Sequence, residues 1–307
     1  MNYNIIDAHS HLWLRQDTTW NGLEIRTTEN GRSMFLGEEV QMLPPFMIDG
    51  RNSAEVFLSN MNYAQVSAAV VVQELIDGNQ NDYLSTVRRQ YPDRFQVCGM
   101  VDCFGHDMAA EATALVERGF DGFAIPGHRL ILDDQRVLLN SPEMMALYDV
   151  MEQHGLFLSI TLADGDQQVG ELREVIETHP QLRIAIGHFG MPTRERWQEQ
   201  IKLARYANVY VESGGITWLY NSEFYPYPGA IRAIREAADL VGINKLMWGS
   251  DYPRTITAIT YRMSYDFVVK SPELSDDDKA LFLGENARHF YGFDHLVELP
   301  YVKNMSE

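Results

Sequence analysis

The chain is short of cysteine, of positive charge and of long apolar runs. Cys98 and Cys103 are its only cysteines and form no metal-type pair, so a cysteine-held ion is excluded and a reducing cytoplasm is the expected setting. Lys and Arg total 25 against 43 Asp and Glu, a formal net charge of −18. That argues against nucleic acid as a partner, because phosphate binding needs a basic face. Most of the acidic excess reads as solvated surface, which leaves local arginines free to hold a small anion. No apolar stretch approaches the roughly 20 residues of a membrane span. The N-terminus shows neither the charged region nor the cleavage site of a secretory signal. A glycine-rich dinucleotide fingerprint is missing too: the first strand-like run leads instead into Asp7-Ala8-His9-Ser10-His11.

What is present is material for one large core, with 45% hydrophobic and 11% aromatic residues in 307. The length suits a single α/β barrel, which typically takes about 250 residues plus insertions. On an extended strand His9 and His11 project to the same side. Two imidazoles held side by side are half of a divalent-metal site or a pair of proton donors for an anionic intermediate. Alone, the pair reads as chance; its meaning depends on which residues the rest of the chain brings to it.

Residues 12–52 lack clean periodicity but carry Trp13, Trp20, Met34, Phe35, Phe46 and Met47, too apolar for a disordered insertion. A connection this long reads as a lid-like cover after the first strand. From Ser53 the chain alternates. Strands are expected near 67–73, 95–101, 122–125, 156–160, 182–186, 209–211 and 245–248, separated by helices near 53–63, 81–90, 108–118, 141–154, 167–178, 193–206 and 229–240. With the opening run this makes a (β/α)8 TIM barrel as one domain over 1–307, with 294–307 a C-terminal extension.

In such a barrel the strand ends meet around one pocket. They supply His9 and His11, Gln73 and Glu74, Asp102, then His128 and Arg129 just after Pro126, Thr161 and Asp164, His188, Glu212 and Ser213, and Asp251. Taken singly, His188 is a core histidine and Asp251 a helix cap. Together with His9 and His11, at strand ends one, six and eight, they form a catalytic face.

Asp7-Ala8-His9-Ser10-His11, Gly187-His188-Phe189-Gly190, Gly249-Ser250-Asp251-Tyr252-Pro253 and Gly284-Glu285-Asn286-Ala287 together resemble the amidohydrolase superfamily, in its amidohydrolase-related (amidohydrolase 2) branch, over essentially the whole chain. Within that branch, the segments 78–84 and 91–95 are most like the sugar-lactonase and dicarboxylate-lactonase group. The resemblance implies His9, His11 and Asp251 as metal-site positions, and His188 as a histidine that binds metal or polarises substrate. It also implies a homodimer, by analogy alone. Relatives with a firm mononuclear zinc carry a histidine where Thr161 stands. Those with two metals carry a lysine or glutamate on the fourth strand, which is absent here. The expectation is therefore a mononuclear site, with or without one divalent ion, zinc first, and no organic cofactor.

The expected activity is opening of a lactone of a sugar acid or dicarboxylic acid. Asp251 acts as general base, while His9, His11 and His188 stabilise the oxyanion. Gln73, His128, Arg129 and Thr161 are the expected grips for an anionic or polyhydroxylated small molecule. The alternatives are metal-dependent non-oxidative decarboxylation of an aromatic or unsaturated acid, and a non-catalytic sugar-acid binding barrel.

Overall fold

The computed structural model describes residues 3–305 except 21, 106 and 132–135. Residue 21 of the expected cover and residues 306–307 of the expected extension thus lie outside the described residues. Eight parallel strands pair in chain order: Ile6–His11, Ala68–Val72, Phe95–Gly99, Gly122–Ile125, Phe157–Ile160, Arg183–Ile186, Val209–Glu212 and Leu246–Met247. The eighth segment returns to the first through Ala8 N–H to Trp248 O (2.9 Å), Asp251 N–H to His9 O (2.9 Å) and His11 N–H to Tyr252 O (2.7 Å). The result is the expected (β/α)8 barrel.

Side-chain alternation sorts the strand residues into two cores. Val71, Val97, Ile125, Leu158, Ile184 and Val211 face the outer ring of helices. Ile6, Ala8, Ala68, Val70, Ala124, Ala185 and Met247 face inward. Several inward residues are alanines, so the lumen needs filler from elsewhere. Phe290, Tyr291 and Phe293, from the last helix (Asn286–Tyr291) and the residues after it, supply that filler. Helix 193–206 is much shorter than expected: only Gln198–Ile201 is α-helical, followed by the 3-10 turn Lys202–Arg205. Left-handed backbone at Met191 (φ 59°) and Arg196 (φ 60°) forbids an earlier start.

The segment after the first strand is not structureless. It holds a four-stranded antiparallel sheet, Asp17–Trp20, Leu23–Thr27, Arg32–Phe35 and Glu38–Gln41. Most residues of these strands are at least partly exposed, so no two-residue alternation of apolar side chains marks them in the sequence. Trp13 and Asn52 exchange backbone hydrogen bonds at its base, and Asn52 Nδ2 donates to His11 O (2.6 Å).

Candidate active site

The first strand carries the decisive local feature. Its pairing with Ala68–Val72 steps from Asp7↔Ala69 to Ser10↔Val71, a bulge of one extra residue. Ile6 and Ala8 point into the lumen; after the bulge the parity switches, and His9 and His11 point inward at the mouth. Strict alternation from Ile6 would have turned both imidazoles outward. Asp7 faces the other way and accepts from Ser250 N–H (2.8 Å), Ser250 Oγ (2.5 Å), Tyr261 OH (2.7 Å) and His9 N–H (3.1 Å). It thereby pins the first strand to the segment that delivers Asp251.

A carboxylate behind each histidine fixes its ring. His9 Nδ1 donates to Glu212 Oε1 (2.8 Å) and His11 Nδ1 donates to Asp77 Oδ2 (2.7 Å). Glu212 is fully buried and also accepts the backbone N–H of His188 and of Gly214. Its cradle requires glycine: a Cβ at Gly214 or Gly249 would lie 2.9 or 2.7 Å from Glu212 Oε2 and just as close to His9. His188 and Asp251 sit on left-handed backbone (φ 52° and 57°), the kind of strain that persists where surrounding contacts over-determine it. Asp251 Oδ1 lies 3.4 Å from His11 Nε2 and 3.8 Å from His9 Nε2, while Asp251 Oδ2 accepts from Trp218 Nε1 (2.7 Å).

Because carboxylates only accept, both Nδ1 atoms carry protons and both Nε2 atoms present lone pairs in the neutral rings. Those Nε2 atoms are 3.2 Å apart, with Asp251 Oδ1 beside them. Three electron-rich atoms this close require a shared cation, either a proton or a metal ion. Tetrahedral zinc at about 2.0–2.1 Å from nitrogen leaves a gap of roughly this size between its ligands. His9, His11 and Asp251 offer ligand atoms all within 4.8 Å of one another, so the donor set fits one divalent ion. Burial alone would depress both histidine pKa values; Glu212 and Asp77 reverse that, and both rings hold a proton more tightly than usual. Burial pushes the Asp251 carboxyl up, but the His11 hydrogen bond and the charges of His188, His11 and His9 pull it well below the ordinary range.

His188 stands outside that ligand group. Its ring lies 4.6 Å from the His9 ring between centroids, and its Nδ1 donates to Gly214 O (2.8 Å). Burial, then the His9 charge, lowers its pKa, so the neutral ring turns a lone pair at Nε2 toward the site. The four side chains border one cavity of about 540 Å³ at the carboxyl ends of the strands, roofed by Phe35 and Val40 of the small sheet and by Met42 just after it.

A family model described as amidohydrolase matches residues 6–293. The chain belongs to the amidohydrolase family. This amidohydrolase is 26% identical over 312 residues to an L-fucono-1,5-lactonase of Burkholderia ambifaria, covering 94% of this chain and 96% of that protein. The barrel superposes on a zinc-bound amidohydrolase from Burkholderia multivorans (TM-score 0.72, 18% identity, 94% of this chain and 99% of that one). It also matches a probable 2-pyrone-4,6-dicarboxylic acid hydrolase from Acinetobacter baumannii with citric acid bound (TM-score 0.67, 18% identity, 94% and 99%). At such identities these two structures speak for the fold. Among the described residues, no helix of the amidohydrolase is long and apolar enough to cross a membrane.

The expected substrate grips all line the cavity but differ in what they have free. Gln73 is committed to the scaffold: Nε2 donates to Asn81 Oδ1 and Cys98 O (both 2.9 Å), and Oε1 accepts from Gln80 N–H. Arg129 is tied to Glu74 by Nε (2.9 Å) and Nη2 (3.4 Å). His128 keeps a buried Nδ1 without a hydrogen-bond partner among the described residues, and burial pushes its pKa down to about 4. Thr161 Oγ1 lies beside Gly187. Asp102 and Asp164 do not line the cavity; Asp164 pairs with Arg194 (3.4 Å) instead. Sequence reasoning missed Asp77, Trp218 and Arg254, and gave Glu212 no role. Asp77 lies 66 positions from the ring it orients, and nothing local marks it.

Proposed function

We propose that the amidohydrolase opens a lactone of a sugar acid or dicarboxylic acid by attack of water. The observation that carries this reading is the meeting of His9 Nε2, His11 Nε2 and Asp251 Oδ1 within 4.8 Å at the floor of the barrel mouth, beside His188. The fucono-lactonase relative, similar over nearly its whole length, supports the same chemistry.

Asp251 takes a proton from the attacking water as the water oxygen bonds to the carbonyl carbon. His9 and His11, whose lone pairs converge on one positive charge, hold the developing oxyanion. His188, neutral and with its Nε2 lone pair turned to the site, accepts a hydrogen bond from the attacking water or a substrate hydroxyl. The ring C–O bond then breaks, and the proton on Asp251 passes to the leaving alkoxide. A divalent ion, zinc first, fits His9, His11 and Asp251, and when bound it supplies Lewis-acid polarisation at this point. Thr161 and His128 line the wall where substrate hydroxyls lie, and the small sheet acts as a lid over them.

The test is a panel of aldonolactones and dicarboxylate lactones assayed for proton release, on protein of measured metal content with and without chelator. Turnover of at least one lactone is expected, with kcat for Asp251→Asn lower by about 10²–10⁴. Wild-type turnover by Asp251→Asn, or carbon dioxide release from aromatic acids with no lactone opened, overturns the proposal.

A further inference from the structure

The charged groups around the cavity do not balance. Its three carboxylates are each engaged: Glu74 by Arg129, Asp77 by His11, and Asp251 by the histidines and Trp218. Arg129, the guanidinium expected to hold an anion, is neutralised by Glu74 and stacks on Trp20. Arg254 is different. It lines the same cavity at the rim, and among the described residues no carboxylate lies within ion-pair distance of it. Arg129 and Arg254 are the two arginines among the described residues that line the cavity, and only Arg254 is left without a carboxylate.

Its seat is also built. The guanidinium carbon sits 3.9 Å over the Trp218 ring, close enough for cation–π attraction. A guanidinium lying flat on an indole keeps its N–H edge free, and that planar fork matches a carboxylate through two parallel hydrogen bonds. The same indole donates through Nε1 to Asp251 Oδ2 (2.7 Å). One rigid ring therefore sets the spacing between the cation at the rim and the carboxylate at the reacting centre.

We propose that Arg254, seated on Trp218, is the anion grip of this pocket, so that the substrate carries a carboxylate on the part facing the rim while its ring ester faces Asp251. This deepens the lactone reading and rests on it for the word substrate. A lactone that keeps a second carboxylate is preferred over its neutral counterpart.

The test compares matched lactones of one stereochemistry that differ only in a terminal carboxylate or a terminal CH₂OH. Wild type is expected to favour the carboxylate member in kcat/KM by about tenfold or more, from the strength of charge-assisted hydrogen bonds. Arg254→Gln collapses that ratio through KM, and Arg254→Lys restores part of it. An equal effect of Arg254→Gln on both members, or no preference in wild type, overturns the proposal. If wild type opens no lactone, the hydrolase reading fails by itself and calorimetry decides the grip. Cyclopentanecarboxylate should bind tighter than cyclopentylmethanol in wild type, and Arg254→Gln should erase the difference. A carboxylate that binds no tighter than the alcohol, or that ignores the substitution, overturns the grip independently.

Discussion

Glu212 shows how much of this site lies one step behind the reacting groups. Its carboxylate does not line the active-site cavity, yet it holds the tautomer and angle of His9 and steadies the His188 backbone. Such partners of a ligating histidine typically contribute 10–100-fold in metal affinity or activity. Glu212→Gln keeps the volume but removes the negative charge behind the ring. The expected outcome is a loss of about 10–100-fold in kcat/KM with little change in melting temperature, checked by steady-state kinetics beside a thermal melt. His128 gives a prediction in pH. Its folded pKa near 4 lies below the ordinary 6.5, so the folded state binds this proton less readily than the unfolded chain. The contribution is complete above pH ~6.5 and lost as pH falls toward ~4, on the order of 3 kcal/mol. Urea unfolding across that window should show a flatter acid limb for His128→Asn than for wild type.

Among the elements, the small sheet roofs the cavity and the bulge in the first strand turns both histidines into it, and neither was fully legible. The helix at Asn81–Gln90 and the strand at Gly122–Ile125 fall where the sequence pattern places them, because the helix buries one continuous face and the strand is an apolar run buried on both. The four strands of the insertion are short and mostly exposed, so the burial that imprints a pattern on sequence is missing. Its sparse apolar residues act at the roof instead. Replacing Phe35 and Met42 together by alanine is expected to raise KM roughly tenfold, from the ~1–3 kcal/mol of filled apolar contact. Both side chains are only partly buried, so the far-UV dichroism and melting temperature should hardly move. An unchanged KM on the true substrate would remove the lid from the account.

For the whole molecule, the barrel keeps stability and chemistry at opposite ends. Phe290, Tyr291 and Phe293 close the lumen below, and the small residues above them leave the mouth open. Phe290→Ala is expected to cost about 3–5 kcal/mol in urea unfolding while leaving the kcat of folded protein close to wild type. That split would be the reverse of the one expected for Glu212→Gln. The sequence by itself determined the alternation of strands and helices, the barrel that eight such units close, and the strand-end residues His9, His11, His188 and Asp251. Those come from periodicity and chain order, which are local properties. Only the tertiary structure decided which groups are free to act. Gln73 and Arg129 are bound into the scaffold, Asp77 and Glu212 stand behind the histidines, and Arg254 is left without a carboxylate. Hydrogen-bond and ion-pair partners far apart in the chain are chosen by packing, so their pairing leaves no mark on the sequence between them.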